Sequence, residues 1–348
     1  MSSTYKNVPL ATVTIGMTIE SVYYLCEASE KQTKGGKPYC DLKLRDKTGA
    51  RIAKYWNALE GFSTCSYVYI KEYSQDYNGT PNIIVQEVIN IDESETDIED
   101  FMVTVDNIND YKATFEDAQK EINNPTLKAL FGIIFSGKTK ELFFDAPFSE
   151  GARYGAIGGA LMQSCRVAGA IEQMAYSYDL SDFSRELLIA ASFIANSGKI
   201  IAFDLVDHVP VSTIKGSLYG DSALSYQRII LSIVKLKQDP KKAIELAGVS
   251  DDKWNLDEDV ILQLTHLILS SRNGGVDAGN KDEKLGAVLP QSLEAMILSQ
   301  CFLSDERAAA TYDAIKAMEV SNPDPNDPFT PYDFHTRRKF LKPGWFDL

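Results

Sequence analysis

Three histidines are a small supply for a chain of 348 residues, and they lie far apart. His208 follows Asp207 in a loop, His266 sits within a largely apolar helical segment, and His335 is in the C-terminal tail. No His-Asp dipeptide occurs. A transition-metal site drawing on imidazole and carboxylate therefore has few nitrogen donors available. His266 reads as a packed, hydrogen-bonded helical side chain. Cys26, Cys40, Cys65, Cys165 and Cys301 show no C-x-x-C spacing and are odd in number, which indicates neither a zinc ribbon nor a disulfide framework and fits a reducing cytoplasm. One phosphate motif matches in letters: Gly132, Gly137, Lys138 and Thr139 satisfy G-x-x-x-x-G-K-[ST]. The chemistry behind that expression needs a strand, a glycine-rich loop and then a helix. Here the match closes an amphipathic helical segment, and Ile133, Ile134 and Phe135 at its variable positions are core residues. Lys199 to Asp204 would have to serve as the second strand, but no βαβ series surrounds it, so nucleotide hydrolysis at this loop is not expected.

The stronger signal is recognition. Tyr23, Tyr24, Tyr39, Tyr55, Trp56, Tyr67, Tyr69, Tyr73 and Tyr77 crowd the first part of the chain, with Lys34, Lys37, Lys43, Arg45 and Lys54 on or beside the same segments. Aromatic rings beside cations suit stacking of bases next to a phosphate backbone. Aromatics are also good strand formers in their own right. The formal net charge of −14 excludes duplex binding by bulk electrostatics, so contact with nucleic acid has to be local.

The elements that position these residues follow from hydrophobic period. From Tyr39 to Arg45 the chain alternates, with Tyr39, Asp41, Lys43 and Arg45 on one face and Cys40, Leu42 and Leu44 on the other. Arg51 to Trp56, Tyr67 to Lys71 and Asn82 to Ile91 are further runs, separated by turn signals at Gly35-Gly36, Thr48-Gly49 and Asn78-Gly79. Strands at this spacing predict a small closed barrel over residues 1–92. Residues 93–122 hold ten acids against Lys112 and Lys120, a net −8, and the segment 93–108 reads as a solvated connector. The period then becomes helical at 109–123, from Asn124-Pro125 to Ile134, and at 158–178, 182–196, 221–237, 258–271 and 290–318. This predicts an all-α domain over 109–320, followed by a Pro- and Asp-rich tail over 321–348. No signal peptide and no membrane span are expected.

Read in order, these segments resemble the YhaM-type 3′-5′ exoribonucleases, an OB-fold followed by an HD-type metal-dependent phosphohydrolase domain. The likeness rests on Gly35-Gly36-Lys37-Pro38-Tyr39, on Leu42 through Gly49, on Ala53 through Asn57, and on Asn124-Pro125 through Leu130. It continues through Phe143-Phe144, Pro147, Gly158-Gly159, Gly198-Lys199, Gly216 through Gly220, Leu267 through Ser270, Leu293-Glu294-Ala295 and Asp305-Glu306-Arg307. The resemblance implies a multidomain α and β fold: an N-terminal OB-fold β-barrel, then an all-α degenerate HD domain. It is degenerate because the positions that match the family's histidine and aspartate ligands hold Gln163, Ala195, Asn196, Asp221, Ser271, Arg272 and Phe302.

Replacement at every matched position leads to the expectation of a protein without enzymatic activity and without a metal or other cofactor. It would bind single-stranded RNA or DNA through Lys34, Lys37, Tyr39, Lys43, Arg45, Lys54, Tyr55, Trp56 and Tyr69. Arg153, Lys199 and Arg272 are candidate phosphate contacts in the relic cleft, or else plain surface charge. Asp221, Asp305 and Asn196 offer a weak oxygen site for Mg²⁺ or Mn²⁺, or else are polar replacements. Two alternatives stand beside this reading: a metal-dependent exonuclease or phosphodiesterase with non-standard ligands, and an interaction protein that has kept the fold. The terminus Trp345-Phe346-Asp347-Leu348 is a candidate contact for a protein partner or packs on its own chain. Divergence this sharp from an enzyme family is compatible with a phage origin.

Overall fold

The computed structural model describes residues 5–33, 35–57, 62–77, 80–149, 155–251, 254–273, 288–321, 327–330, 332 and 337–342, and structural statements concern these. The chain divides into two compact units, 1–104 with 205–209, and 105–204 with 210–348.

The first unit is a closed barrel of β1 (Thr18–Gln32), β2 (Pro38–Asp46), β3 (Gly49–Tyr55), β4 (Ser66–Tyr77) and β5 (Thr80–Asn90), in the order β1-β2-β3-β5-β4. Neighbours are antiparallel except for β3 and β5, which run parallel. This five-stranded topology is that of an OB-fold. The alternation read from sequence is the cause of closure: Cys40, Leu42 and Leu44 turn inward to meet Tyr23, Leu25, Ala53, Val68, Ile70, Ile83 and Val85. A register shift in β1 between Leu25 and Glu27 lets one long strand pair with β4 first and then β2. The segment before β1 packs Leu10 and Val13 into the same core. It is tied there by Leu10 N donating to Asp46 Oδ2 (2.6 Å), Val8 N to Ser21 Oγ (2.9 Å) and the Tyr23 hydroxyl to Val8 O (2.7 Å).

The expected solvated connector needs a correction. Residues 93–95 and 98–100 form short 3-10 turns capped by Asp92 and Asp97, and Phe101, Met102 and Val105 are buried. The acids flank a hydrophobic anchor that a charge count does not reveal; the Phe101 ring lies 4.9 Å from that of Tyr67.

The second unit is built on α1 (Ile108–Glu121), α2 (Pro125–Ile134), α3 (Lys138–Asp145), α4 (Gly159–Ser177), α5 (Asp182–Ile194), α6 (Lys199–Ala202), α7 (Ile214–Gln238), α8 (Pro240–Ala247), α9 (Glu258–Ser270) and α10 (Leu293–Ser321). The starts follow local chemistry. Asn124 caps α2 by accepting from Thr126 N and Leu127 N with Pro125 in the first turn, and Ser181, Thr213, Asp239 and Asp257 cap α5, α7, α8 and α9. Phe115, Phe131, Phe143 and Phe193 form the centre of the core. The sequence reading missed α3, α6, α8 and a two-stranded ladder, β6 (Phe203–Val206) with β7 (Val209–Ser212). The turn between those strands places Asp207 and His208 in left-handed conformation, φ 49° and 63°. No helix among the described residues is long and apolar enough to cross a membrane.

Candidate functional site

The barrel presents one outer face over β1, β2 and β3. Register sets Lys31 opposite Tyr39, Ser29 opposite Asp41 and Glu27 opposite Lys43, while Asp41 and Lys43 face Lys54 and Ile52 on β3. At the end of that face Tyr39 and Trp56 lie with ring centroids 5.2 Å apart at 38°, and Lys54 Nζ stands 5.1 Å from the Tyr39 centroid. Trp56 is 52% exposed, unusual for a side chain of that size, and is open to an approaching base. Tyr39, Lys43, Arg45, Lys54 and Trp56 thus share a face as the alternation required, and Lys37 is exposed at its turn.

The cations are partly balanced. Asp41 takes Lys31 at 2.6 Å and also Lys54, and Glu27 takes Lys43 at 3.1 Å. Partial burial works against the ionisation of Asp41, but the two lysines outweigh it and hold its carboxyl below the usual range. Lys31 was not singled out from sequence. It is brought to the face by β1–β2 register, which local pattern does not reveal.

Two residues expected on this face are elsewhere. Tyr55 has the inward parity of Cys40, its register partner, and its ring packs against Phe62 at 5.7 Å. Tyr69 lies on β4; its ring meets Tyr5 at 5.1 Å and its hydroxyl donates to Glu20 (2.7 Å), an acidic surrounding unsuited to phosphate. Lys34 falls outside the described residues.

In the second unit, side chains at the family-matched positions do meet. Asn196 Nδ2 donates to Gln163 Oε1 (3.0 Å) and Ser164 Oγ (2.9 Å), and its Oδ1 accepts from Arg272 at 2.5 Å. Arg272 also donates to Glu306 at 2.8 Å and lies 3.6 Å from Asp221, whose carboxylate is 2.9 Å from Lys199 Nζ. The guanidinium carbon is 4.0 Å from the Phe302 ring centroid and 5.2 Å from that of Phe148, and Lys199 Nζ is 3.7 Å from Phe148. Ala195 and Ser271 are buried beside the cluster without giving it a side-chain ligand: Ser271 Oγ donates to Ile268 O, and Ala195 O accepts from Ser225 Oγ. Burial pushes the Lys199 ammonium down to about 8, with Asp221 opposing that shift. Burial also resists the charge on Asp221, but Arg272 and Lys199 prevail and keep it ionised.

Glycines make this close approach feasible. A Cβ on Gly198 would stand 2.4 Å from Asp221 O, and one on Gly216 would stand 2.2 Å from Ala202 O. The Gly198-Lys199 and Gly216 positions are therefore packing requirements of α6 against α7.

The phosphate expectation needs correction, because Lys199 and Arg272 are engaged by carboxylates and aromatic faces rather than standing open. Arg153 falls outside the described residues. The expected oxygen site is likewise committed: Asn196 to Arg272, Asp221 to Lys199 and Arg272, and Asp305 to Arg166 at 3.3 Å. Among the described residues no group of three His, Cys, Asp or Glu could hold a metal ion. The donors gathered at these positions, among the described residues, do not fit the divalent ion that the resemblance implies. Glu306 was named only as part of the Asp305-Glu306-Arg307 likeness and not as a site residue, yet it lies one turn after Phe302 on α10, so a search of matched positions at i+4 would have given it that role. The Walker-like segment joins α2 to α3, with Gly132 inside α2 against Leu246, so no strand leads into it.

A barrel of OB-fold topology and a helical unit define a two-part architecture, and comparison gives it relatives. The 3′-5′ exoribonuclease YhaM of Listeria welshimeri is 25% identical over 305 residues, covering 84% of this chain and 86% of that protein. YhaM of Listeria monocytogenes is 24% identical over 302 residues, with the same shares, and that of Bacillus subtilis is 25% identical over 256 residues, covering 71% and 74%. These matches bear out the resemblance to the YhaM-type exoribonucleases. No protein-family model matches the chain. The second OB-fold domain of replication protein A from Methanococcus maripaludis aligns with 25% of this chain and 96% of that one at 17% identity, with a TM-score of 0.21. The expectation of a protein without enzymatic activity is overturned by the relatives, which are named for an enzymatic reaction. Counting replaced ligand positions was not a sufficient ground for it.

Proposed function

We propose that this chain is a single-stranded RNA-binding protein of exoribonuclease type, with the strand lying across the outer face of β1, β2 and β3. The observation that carries the reading is the Tyr39–Trp56 platform with Lys54 beside it. Exposed rings stack bases of any identity, and flanking cations follow the backbone. The name of the relatives supports RNA as the strand and removal of nucleotides from its 3′ end as the reaction to test. The acidity of the whole chain is no obstacle, since register gathers Lys31, Lys43 and Lys54 on the face and Lys37 is exposed at the adjoining turn.

The test uses the full chain with an end-labelled single strand, as RNA and as DNA, in the presence of Mn²⁺, following both mobility and strand length. RNA is expected to shift, less so as salt rises, and Trp56→Ala is expected to weaken binding roughly 10-fold, the loss of one stacked base. Strands shortened from the 3′ end assign the reaction of the relatives. Binding indifferent to both Trp56→Ala and Lys54→Ala overturns the proposed face, and equal binding of DNA removes the preference for RNA.

A further inference from the structure

We infer that Arg272 serves in this chain as a built-in cation that does the structural work of a divalent ion, so that the helical unit closes its buried polar cluster without metal. Several segments converge on this one guanidinium. It donates to Asn196 after α5 and to Glu306 on α10, and it faces Asp221 on α7. Gln163 on α4 joins through Asn196, and its Nε2 lies 3.5 Å from Glu306. Gathering oxygens from separate helices is what a metal ion does in a helical bundle, and here an arginine does it from the end of α9.

Charge and chemistry both disfavour an added ion. Lys199 and Arg272 already balance Asp221 and Glu306 in a cluster where Gln163, Asn196 and Lys199 are buried. A further divalent charge would be uncompensated in a place where uncompensated charge is costly. The guanidinium lies against the Phe302 and Phe148 rings, which attract an organic cation but supply no oxygen to Mg²⁺ or Mn²⁺. The Asn196 oxygen accepts from Arg272, and the Asp221 and Glu306 carboxylates face Arg272 and Lys199, so these oxygens are already taken up by cations.

The test reads metal content and unfolding of the full chain, so its outcome is independent of RNA binding. After dialysis against EDTA and then buffer, the protein is expected to be metal-free by mass spectrometry, with the same Tm in EDTA and in Mn²⁺. Arg272→Ala is expected to lower Tm by roughly 5 °C or more, because it leaves Asp221 and Glu306 short of positive charge. Removing the guanidinium also frees the Asn196 and Glu306 oxygens beside Asp221, which keeps Lys199, so Mn²⁺ is expected to recover part of that loss in the variant alone. Arg272→Lys, which keeps a charge but not the planar fork, is expected to fall between the two. Stoichiometric metal surviving dialysis overturns the inference. So does a native chain whose Tm rises with Mn²⁺ as much as the variant's. If Arg272→Ala does not fold in EDTA, refolding with Mn²⁺ or with guanidinium ion at low concentration supports the inference, and failure with both counts against it.

Discussion

Lys54 and Asp41 face each other across the β2–β3 ladder, and the ammonium of one is hydrogen-bonded to the carboxylate of the other. Asp41 holds Lys31 as well, so one carboxylate occupies two of the cations that a nucleic-acid backbone would use.

Asp41→Asn should therefore strengthen RNA binding and make it more salt-sensitive. Each lysine released to a phosphate is expected to steepen the dependence of log affinity on log salt by about 0.7 for a single strand. A salt titration of the variant beside the native chain measures the slope directly. An unchanged slope would place the strand away from this face.

Glu72 gives a pH signature to the barrel. It points inward from β4, is 1% exposed, and among the described residues neither carboxylate oxygen has a hydrogen-bond partner of good geometry. Burial pushes its carboxyl up to about 7, and nearby Tyr23 and Arg51 offset only part of that. A carboxyl raised in the folded state contributes stability that is fully present below its unfolded value near 4.5 and lost as pH rises through about 7. Across that window the loss is about 3 kcal/mol. Glu72→Gln should thus be more stable than the native chain at pH 8, with the difference shrinking toward pH 5. Urea unfolding of both proteins at the two pH values checks it.

Gly198→Ala should destabilise the helical unit by about 1–3 kcal/mol, the usual range for forcing an extra carbon into a packed interior. The added Cβ meets backbone atoms of Asp221 and Ser225, which cannot swing aside as the end of a side chain does. Gly169→Ala, at an exposed position inside α4 with open space for a Cβ, is the contrasting case and should stabilise by up to about 1 kcal/mol. Thermal unfolding distinguishes them.

Much of the barrel was legible because a half-buried strand writes its period into the chain: Cys40, Leu42 and Leu44 inward, Tyr39, Lys43 and Arg45 outward. Asn124-Pro125 likewise announced α2 through a cap and a proline whose roles are local. What stayed hidden was non-local. That Asp41 lies between Lys31 and Lys54 depends on two registers at once, and no short window contains both. Tyr55 was assigned by composition against the parity of its own strand, and Tyr69 by membership of an aromatic group that the barrel splits between faces. In the second unit the resemblance led to positions that converge in space. It placed Arg272 among them but not the partners that hold it, Asn196, Glu306 and Asp221, because those lie on other helices far away in sequence.

The parallel pairing of β3 with β5 also bears on how the barrel is made. Strands β1 to β4 alone form an open sheet, with β3 and β4 at its edges, and β5 joins those two. During synthesis the barrel stays unfinished until residues 80–90 have left the ribosome, and its two unpaired edges are exposed meanwhile to other chains. A fragment ending near residue 79 would carry the whole Tyr39–Trp56 platform on a sheet that cannot close, and aggregation rather than a smaller binding module is its expected fate.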